Sequence, residues 1–147
     1  MKFFSGKQKG FTLIELMVVI AIIGILASIL IVSLRQASDR SKNAKIVTDI
    51  VQIRKIAVRM YAEELIGYVN LCGEDSSNLN SEDYPDLGTL QRDIEGFNSV
   101  ITCYADKDSY CISASFMADD QYFCIDDEGS SIEVTGNPCL SAENTCQ

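Results

Sequence analysis

Hydrophobic positions along this chain fall into three regimes. From Phe11 to Leu34 almost every position is apolar, the exceptions being Thr12, Glu15, Ser28 and Ser33, and residues 16 to 34 carry no charge. Such a run exceeds the ~20 residues needed to cross a bilayer as a helix. The apolar positions then thin out without losing helical order. Ile46, Ile50, Ile53, Ala57, Met60 and Leu65 follow at spacings of 4, 3, 4, 3 and 5, and Tyr61 turns the last step into 4. That is one stripe on an α-helix. The opposite face is expected to carry Lys45, Asp49, Gln52, Arg59 and Glu63. No proline precedes Pro85, so nothing forces a break, and Gly67 suits a helix C′ position. The pattern predicts one helix over about residues 12–66, ~80 Å long at 1.5 Å per residue.

Beyond Gly67 the helical period stops. Residues 67–99 are rich in Asn, Asp, Ser, Gly and Pro, which favour turns, with a short helix predicted over Leu87–Ile94. Four segments rich in β-branched and aromatic residues follow: 98–105, 109–116, 121–126 and 131–136. Between them lie Asp106-Lys107-Asp108, Ala118-Asp119-Asp120 and Asp127-Glu128-Gly129. This spacing predicts an antiparallel meander of three or four strands, one face of which packs on the 46–65 stripe. The closing segment NPCLSAENTCQ has no regular pattern. The fold class is therefore α+β: a long N-terminal helix packed by its C-terminal half on a small antiparallel sheet, with a disulfide-rich C-terminal region.

Charge sharpens this division. The chain of 147 residues has a formal net charge of −9. Residues 35–59 hold seven basic residues against Asp39 and Asp49, a net of +5, while residues 60–147 hold Arg92 and Lys107 against 18 acids, a net of −16. An acidic C-terminal part repels phosphate, so nucleic acid is not an expected partner. The basic stretch suits either an anionic lipid surface beside the apolar run or a solvated helix face. The N-terminal ten residues are short and basic, with Lys2, Lys7 and Lys9. A secretory signal peptide is disfavoured: the apolar run is long, and Leu34-Arg35-Gln36 is no small-x-small cleavage site.

Six cysteines, Cys72, Cys103, Cys111, Cys124, Cys139 and Cys146, all lie beyond the helix, with no CxxC pair and no histidine in the chain. That pattern reads as a disulfide framework in an oxidising compartment, not a zinc site. Six cysteines allow 15 pairings. Sequence proximity and the predicted strands suggest Cys139–Cys146, Cys111–Cys124 and Cys72–Cys103, with Cys103–Cys111 as a competitor across the first hairpin. Asp119-Asp120 and Asp126-Asp127-Glu128 supply hard oxygens, but acidic turns in an acidic domain are the favoured explanation, and no metal or cofactor is expected. With no histidine, no nucleophile–base set and no Gly-rich phosphate loop, no enzymatic role is supported.

The residues around the start of the apolar run carry a resemblance. A basic leader ending in Gly10, then Phe11-Thr12-Leu13-Ile14-Glu15 and the apolar run to Leu34, resembles the type IV pilin and pseudopilin family. The continuation SDRSKNAK into DIVQIRKIAVRMYAEE looks like the solvent half of a pilin helix. The resemblance covers residues 1 to about 66. It implies that residues 1–10 are a leader removed by a prepilin peptidase between Gly10 and Phe11, that the new amine of Phe11 is methylated, and that residues 11–34 serve first as a membrane span and then as filament core. Residues 35–66 would be the amphipathic helix half and 67–147 an extracytoplasmic head. It implies a subunit of a type IV pilus-like surface filament, or alternatively a pseudopilin of a type II secretion or DNA-uptake system. The expected partners are copies of itself, the peptidase, the inner-membrane assembly machinery and the membrane. The precursor would reside in the inner membrane. A different class, a membrane-anchored extracytoplasmic binding domain that never polymerises, would use the motif for targeting alone. Residue 32 is Val where many filament-forming relatives have Pro, leaving Gly24 as a soft point, and the calcium loop of the major secretion pseudopilin is not recognisable. Within this frame Glu15 acquires a role. A carboxylate in lipid is costly and usually functional. The amine of Phe11, with an ordinary pKa near ~8, would compensate it across subunits and set their register.

Overall fold

The computed structural model describes residues 10–63, 67–73, 78–117, 120–140 and 145–146. Residues 1–9, Leu65 and Asp119 lie outside them. Helix α1 runs Leu13–Glu63 and α2 runs Pro85–Glu95. The strands are β1 (Ile101–Ala105), β2 (Tyr110–Ser115), β3 (Gln121–Asp126) and β4 (Ser131–Thr135), followed by a 3-10 turn at Pro138–Leu140. The chain divides into two compact units, Met1–Ser38 and Asp39–Gln147.

In the first unit, α1 passes through Gly24 and Val32 as unbroken helix, and its side chains from Leu13 to Ser38 are all exposed. It is long and apolar enough to cross a membrane.

In the second unit the predicted stripe is the core. Ile46, Ile50, Ile53, Ala57 and Met60 are buried, while Lys45, Gln52, Arg59 and Glu63 are exposed. Asp49 departs from expectation: it is wholly buried, not on the solvent face. The reason is angular. Asp49 follows Ile46 by three residues and precedes Ile53 by four, so helical geometry puts it on the same stripe whatever its polarity. Its Oδ1 accepts a 2.5 Å hydrogen bond from Lys45 one turn earlier. Helix α2 begins on Pro85, whose fixed φ suits the first helical position, and buries Leu87, Leu90 and Ile94.

The strands form one antiparallel sheet in the order β1-β2-β3-β4. Ile112 pairs with Cys103 and Ile125, and Ala114 with Ile101 and Phe123; these residues share the core with α1 and α2. Positions offset by one point to the other face, where Cys111, Ser113, Cys124 and Asp126 also lie buried. A one-sided meander would leave that face wet. Here the patternless C-terminal segment covers it. Asn137 latches it down: its Oδ1 accepts from the Ser113 hydroxyl at 2.7 Å and from the Cys139 amide at 3.2 Å, and its Nδ2 donates to Thr102 Oγ1 at 2.8 Å.

All six cysteines are bridged. One disulfide joins Cys72 to Cys103. The other two differ from the expected set: Cys111 pairs with Cys139 and Cys124 with Cys146. The register explains the difference. Cys111 stands opposite Asp126, and Cys124 opposite Ser113, so the two strand cysteines are diagonal neighbours, and each instead meets a cysteine of the covering segment.

Candidate assembly site at the start of the long helix

The site is assembled by the first turn of α1. A helix begins with backbone N–H groups that have no intrahelical acceptor. Here Thr12 and Glu15 satisfy them reciprocally. The Glu15 carboxylate, through Oε2, accepts from the Thr12 backbone N–H at 2.9 Å and from the Thr12 hydroxyl at 2.7 Å. The Thr12 hydroxyl in turn accepts from the Glu15 N–H at 3.3 Å, and the Leu16 N–H closes on the Thr12 carbonyl at 3.3 Å. This is a capping box of the Thr-x-x-Glu type. It also places an anion at the positive end of the helix dipole, where it is favoured.

Thr12 is the functional residue that sequence reasoning passed over. Its signal is present in the sequence, as Thr12-Leu13-Ile14-Glu15 spells the capping box ahead of an apolar run, whereas the sequence reading gives Thr12 only as a polar interruption and a member of the motif. The box has two consequences. Glu15 is held in one place in the free subunit, and part of its hydrogen-bonding capacity is met inside its own chain, which lowers the cost of carrying it in an apolar segment. Among the described residues no cation pairs with Glu15; the ion pairs found are Lys42–Asp39, Lys45–Asp49 and Lys45–Asp93.

Around the box the surface is strongly apolar. Phe11 is 79% exposed and Leu13 72%, and exposure continues through Leu34. Gly10, the residue before Phe11, is exposed, and a Cβ built on it would meet nothing within 4 Å. The fold of these residues therefore does not itself require glycine at position 10.

Among the described residues the acidic turns make no comparable site. Asp126 is buried, and its carboxylate is engaged by amides: Oδ1 accepts from Ser130 N–H at 2.7 Å and Oδ2 from Cys146 N–H at 3.1 Å. Asp127 Oδ1 accepts from the Tyr110 N–H at 3.3 Å. The β3–β4 turn instead receives a cation from the protein. The Arg54 guanidinium reaches across from α1 and donates to the carbonyls of Asp126, Gly129 and Ser130 and to the Ser131 hydroxyl.

Residues 5–31 match the family described as "Prokaryotic N-terminal methylation motif". Among known proteins the chain is similar to type II secretion system core protein G of Klebsiella pneumoniae, with 32% identity over 58% of this chain and 66% of that protein. It is 47% identical to the core protein G of Escherichia coli (strain K12) over 39% of each chain. The type IV major fimbrial protein FimA of Dichelobacter nodosus is 39% identical over 56% of this chain and 59% of its own length. The chain thus spans less than two thirds of each of these relatives. No solved structure matches it significantly. The methylation motif, the capped membrane-length helix it opens, and likeness to both a secretion core protein and a fimbrial protein converge: the chain carries the N-terminal motif of type IV pilins and pseudopilins and is similar to proteins of both kinds.

Proposed function

We propose that the chain is a structural subunit of a type IV pilus-like filament, assembled through the N-terminal half of α1 and without a catalytic role. The observation that carries this reading is the conjunction at the helix start: a carboxylate held in a capping box at the head of an apolar segment whose side chains are all exposed. Residues 1–10 act as a leader. A prepilin peptidase cuts between Gly10 and Phe11 and methylates the Phe11 amine. The open, side-chain-free backbone at Gly10 supports recognition by that enzyme as the reason for glycine there. Residues 11–34 form the membrane span and later the filament core, 35–66 the amphipathic half of the helix, and 67–147 the extracytoplasmic head.

Cleavage leaves the Thr12 amide intact, so the capping box survives and Glu15 stays aimed at the helix start. The methylated amine of Phe11 on a neighbouring subunit then supplies the missing positive charge. In a dry core an unpaired carboxylate is strongly unfavourable, so only the register that pairs the two is populated. The likeness to secretion core protein G supports a second form of the same reading, a pseudopilin of a type II secretion system. The assembly chemistry is common to both.

The test is electron microscopy of sheared surface material with N-terminal sequencing of its subunit. Filaments of a subunit beginning at Phe11 are expected. Glu15→Ala is expected to be cleaved and membrane-inserted yet to yield at least about tenfold less filament, since breaking a buried pair costs ~3–5 kcal/mol. Undiminished filament from that variant would refute the role of Glu15.

A further inference from the structure

Four of the six cysteines share one buried cluster on the sheet face turned away from α1: Cys111, Cys124, Cys139 and Cys146. Their two disulfides touch. The Cys111 Sγ lies 3.7 Å from the Cys124 Sγ, and the Cys124 Sγ lies 3.9 Å from the Cys139 Sγ. Three of these sulfurs therefore each have, beside their bonded partner, a sulfur of the other bridge in van der Waals contact. Cys72–Cys103 stands apart in the main core.

The native bridges are also out of order. Along the chain they join the first cysteine of the cluster to the third and the second to the fourth. An exported chain reaches an oxidising compartment progressively. Cys111 and Cys124 precede Cys139 and Cys146 in the chain and lie on adjacent strands with their Sγ atoms 3.7 Å apart. Oxidation in order of arrival gives Cys111–Cys124 and then Cys139–Cys146, the same pairs that sequence proximity suggests. Because all four sulfurs meet in one cluster, this consecutive set is a near neighbour of the native one.

We propose that the cluster is a thiol–disulfide exchange site, first bridged in the consecutive order and then converted to the native order by a dithiol isomerase of the oxidising compartment. The exchange balances without net oxidation. The isomerase thiolate attacks the Cys146 sulfur, breaking Cys139–Cys146 and forming a mixed disulfide at Cys146. The released Cys139 thiolate attacks the Cys111 sulfur, forming Cys111–Cys139 and expelling the Cys124 thiolate. Cys124 then attacks the Cys146 sulfur, forming Cys124–Cys146 and returning the isomerase thiolate. Two bonds break and two form, and the catalyst is regenerated. What selects the product is polar. Asn137 accepts from the Cys139 amide while holding Ser113, two residues from Cys111 on β2, and Asp126, two residues from Cys124 on β3, accepts from the Cys146 amide. These contacts seat the covering segment in the native order. The inference requires export of the head but not filament assembly.

The experiment follows the full chain in a bacterial host by pulse labelling, with acid quench, alkylation of free thiols and peptide mass mapping. Acidic residues separate all four cysteines, at Asp119-Asp120, Asp126–Glu128, Glu133 and Glu143, so cleavage at Asp and Glu resolves every pairing. Chains trapped early are expected to carry Cys111–Cys124, and later chains the native pairs. A host lacking disulfide isomerase should retain the consecutive set, with conversion slowed at least about tenfold. Native pairs forming with no Cys111–Cys124 stage, or at the same rate without isomerase, would overturn the proposal. The double variant Cys111→Ser, Cys139→Ser has no rival pair within the cluster and should form Cys124–Cys146 independently of isomerase; a persisting dependence would also overturn it.

Discussion

Replacing Arg54 tests how the head is held to its helix. The guanidinium spans the whole β3–β4 turn, donating through Nη1 to Ser131 Oγ at 2.8 Å and Gly129 O at 3.3 Å, and through Nη2 to Ser130 O and, at 3.4 Å, to Asp126 O. No other side chain among the described residues ties this turn to α1 in that way. Two of the four contacts are short and two are long. Counting only the short ones at ~1–1.5 kcal/mol each gives a loss of about 2–3 kcal/mol for Arg54→Ala. In a head of roughly a hundred residues this lowers the melting temperature by about 10–20 °C. Arg54→Lys should recover less than half of the loss, because an ammonium is a point donor and cannot span acceptors from residue 126 to residue 131 as a planar fork does. Far-UV signals are dominated by α1, so the assay is tyrosine fluorescence of the detergent-solubilised chain, which contains no tryptophan. Tyr110 reports locally: burial pushes its pKa up, and the positive charge of Arg54 acts against that rise. A melting temperature within about 3 °C of the parent for Arg54→Ala, or Lys fully replacing Arg, would refute the clamp.

Three further outcomes follow from buried or constrained positions. Asp49 has one oxygen on Lys45 and the other, Oδ2, buried without a hydrogen-bond partner; Asp49→Leu should match or exceed the parent in thermal stability, whereas Lys45→Ala should fall below it by roughly 1–3 kcal/mol, and a clearly destabilised Asp49→Leu would contradict this. Gly67 has φ +74°, and a Cβ there would stand 1.7 Å from the Lys107 carbonyl oxygen, so Gly67→Ala should cost more than about 2 kcal/mol by denaturant titration. Asp106 accepts from the amides of Ser109 and Asp108, and these bonds, Ser109 first, hold its carboxyl below the ordinary value of 3.8. A depressed folded pKa contributes stability above the unfolded value and loses it as pH falls through the folded one. The melting difference between the parent and Asp106→Ala should therefore be constant near neutrality and close below about pH 4; a difference that widens on acidification would exclude this role.

The helices and strands were legible because each rests on a short-range period. The stripe Ile46-Ile50-Ile53-Ala57-Met60 and the strand segments are visible residue by residue. Asp49 was misplaced because its chemistry was allowed to outweigh its angle on the helix. The second covered face of the sheet was not legible: the segment that covers it has no period, and what seats it is Asn137 reading Ser113, Thr102 and the Cys139 amide. Bridge pairing failed for a related reason. Proximity in sequence points to Cys111–Cys124, but pairing in space depends on a register that sets Cys111 against Asp126. The Arg54 clamp leaves no side-chain signature at all, since most of its acceptors are carbonyls. At the helix start the capping box is legible as Thr12-Leu13-Ile14-Glu15 ahead of an apolar run.

The distribution of apolar residues explains why the head depends on such ties. The longest hydrophobic stretch, Phe11 to Leu34, is exposed and contributes nothing to the core of the second unit. That unit must fold on one helical stripe, α2 and one face of the sheet, while carrying most of the negative charge. Its bridges span 31, 28 and 22 residues, and loops of that size are each worth ~3–4 kcal/mol on the chain-entropy account. Against a typical net stability of about 5–15 kcal/mol, misplacing the two clustered bridges would remove a large share of the margin. The closing loop would suffer first, because Cys139 and Cys146 anchor the segment that covers the sheet. Correct pairing in the four-sulfur cluster is thus a condition for a rigid head. The condition is strict because the second unit has only its own residues to draw on for a core, and these are the more polar part of the chain.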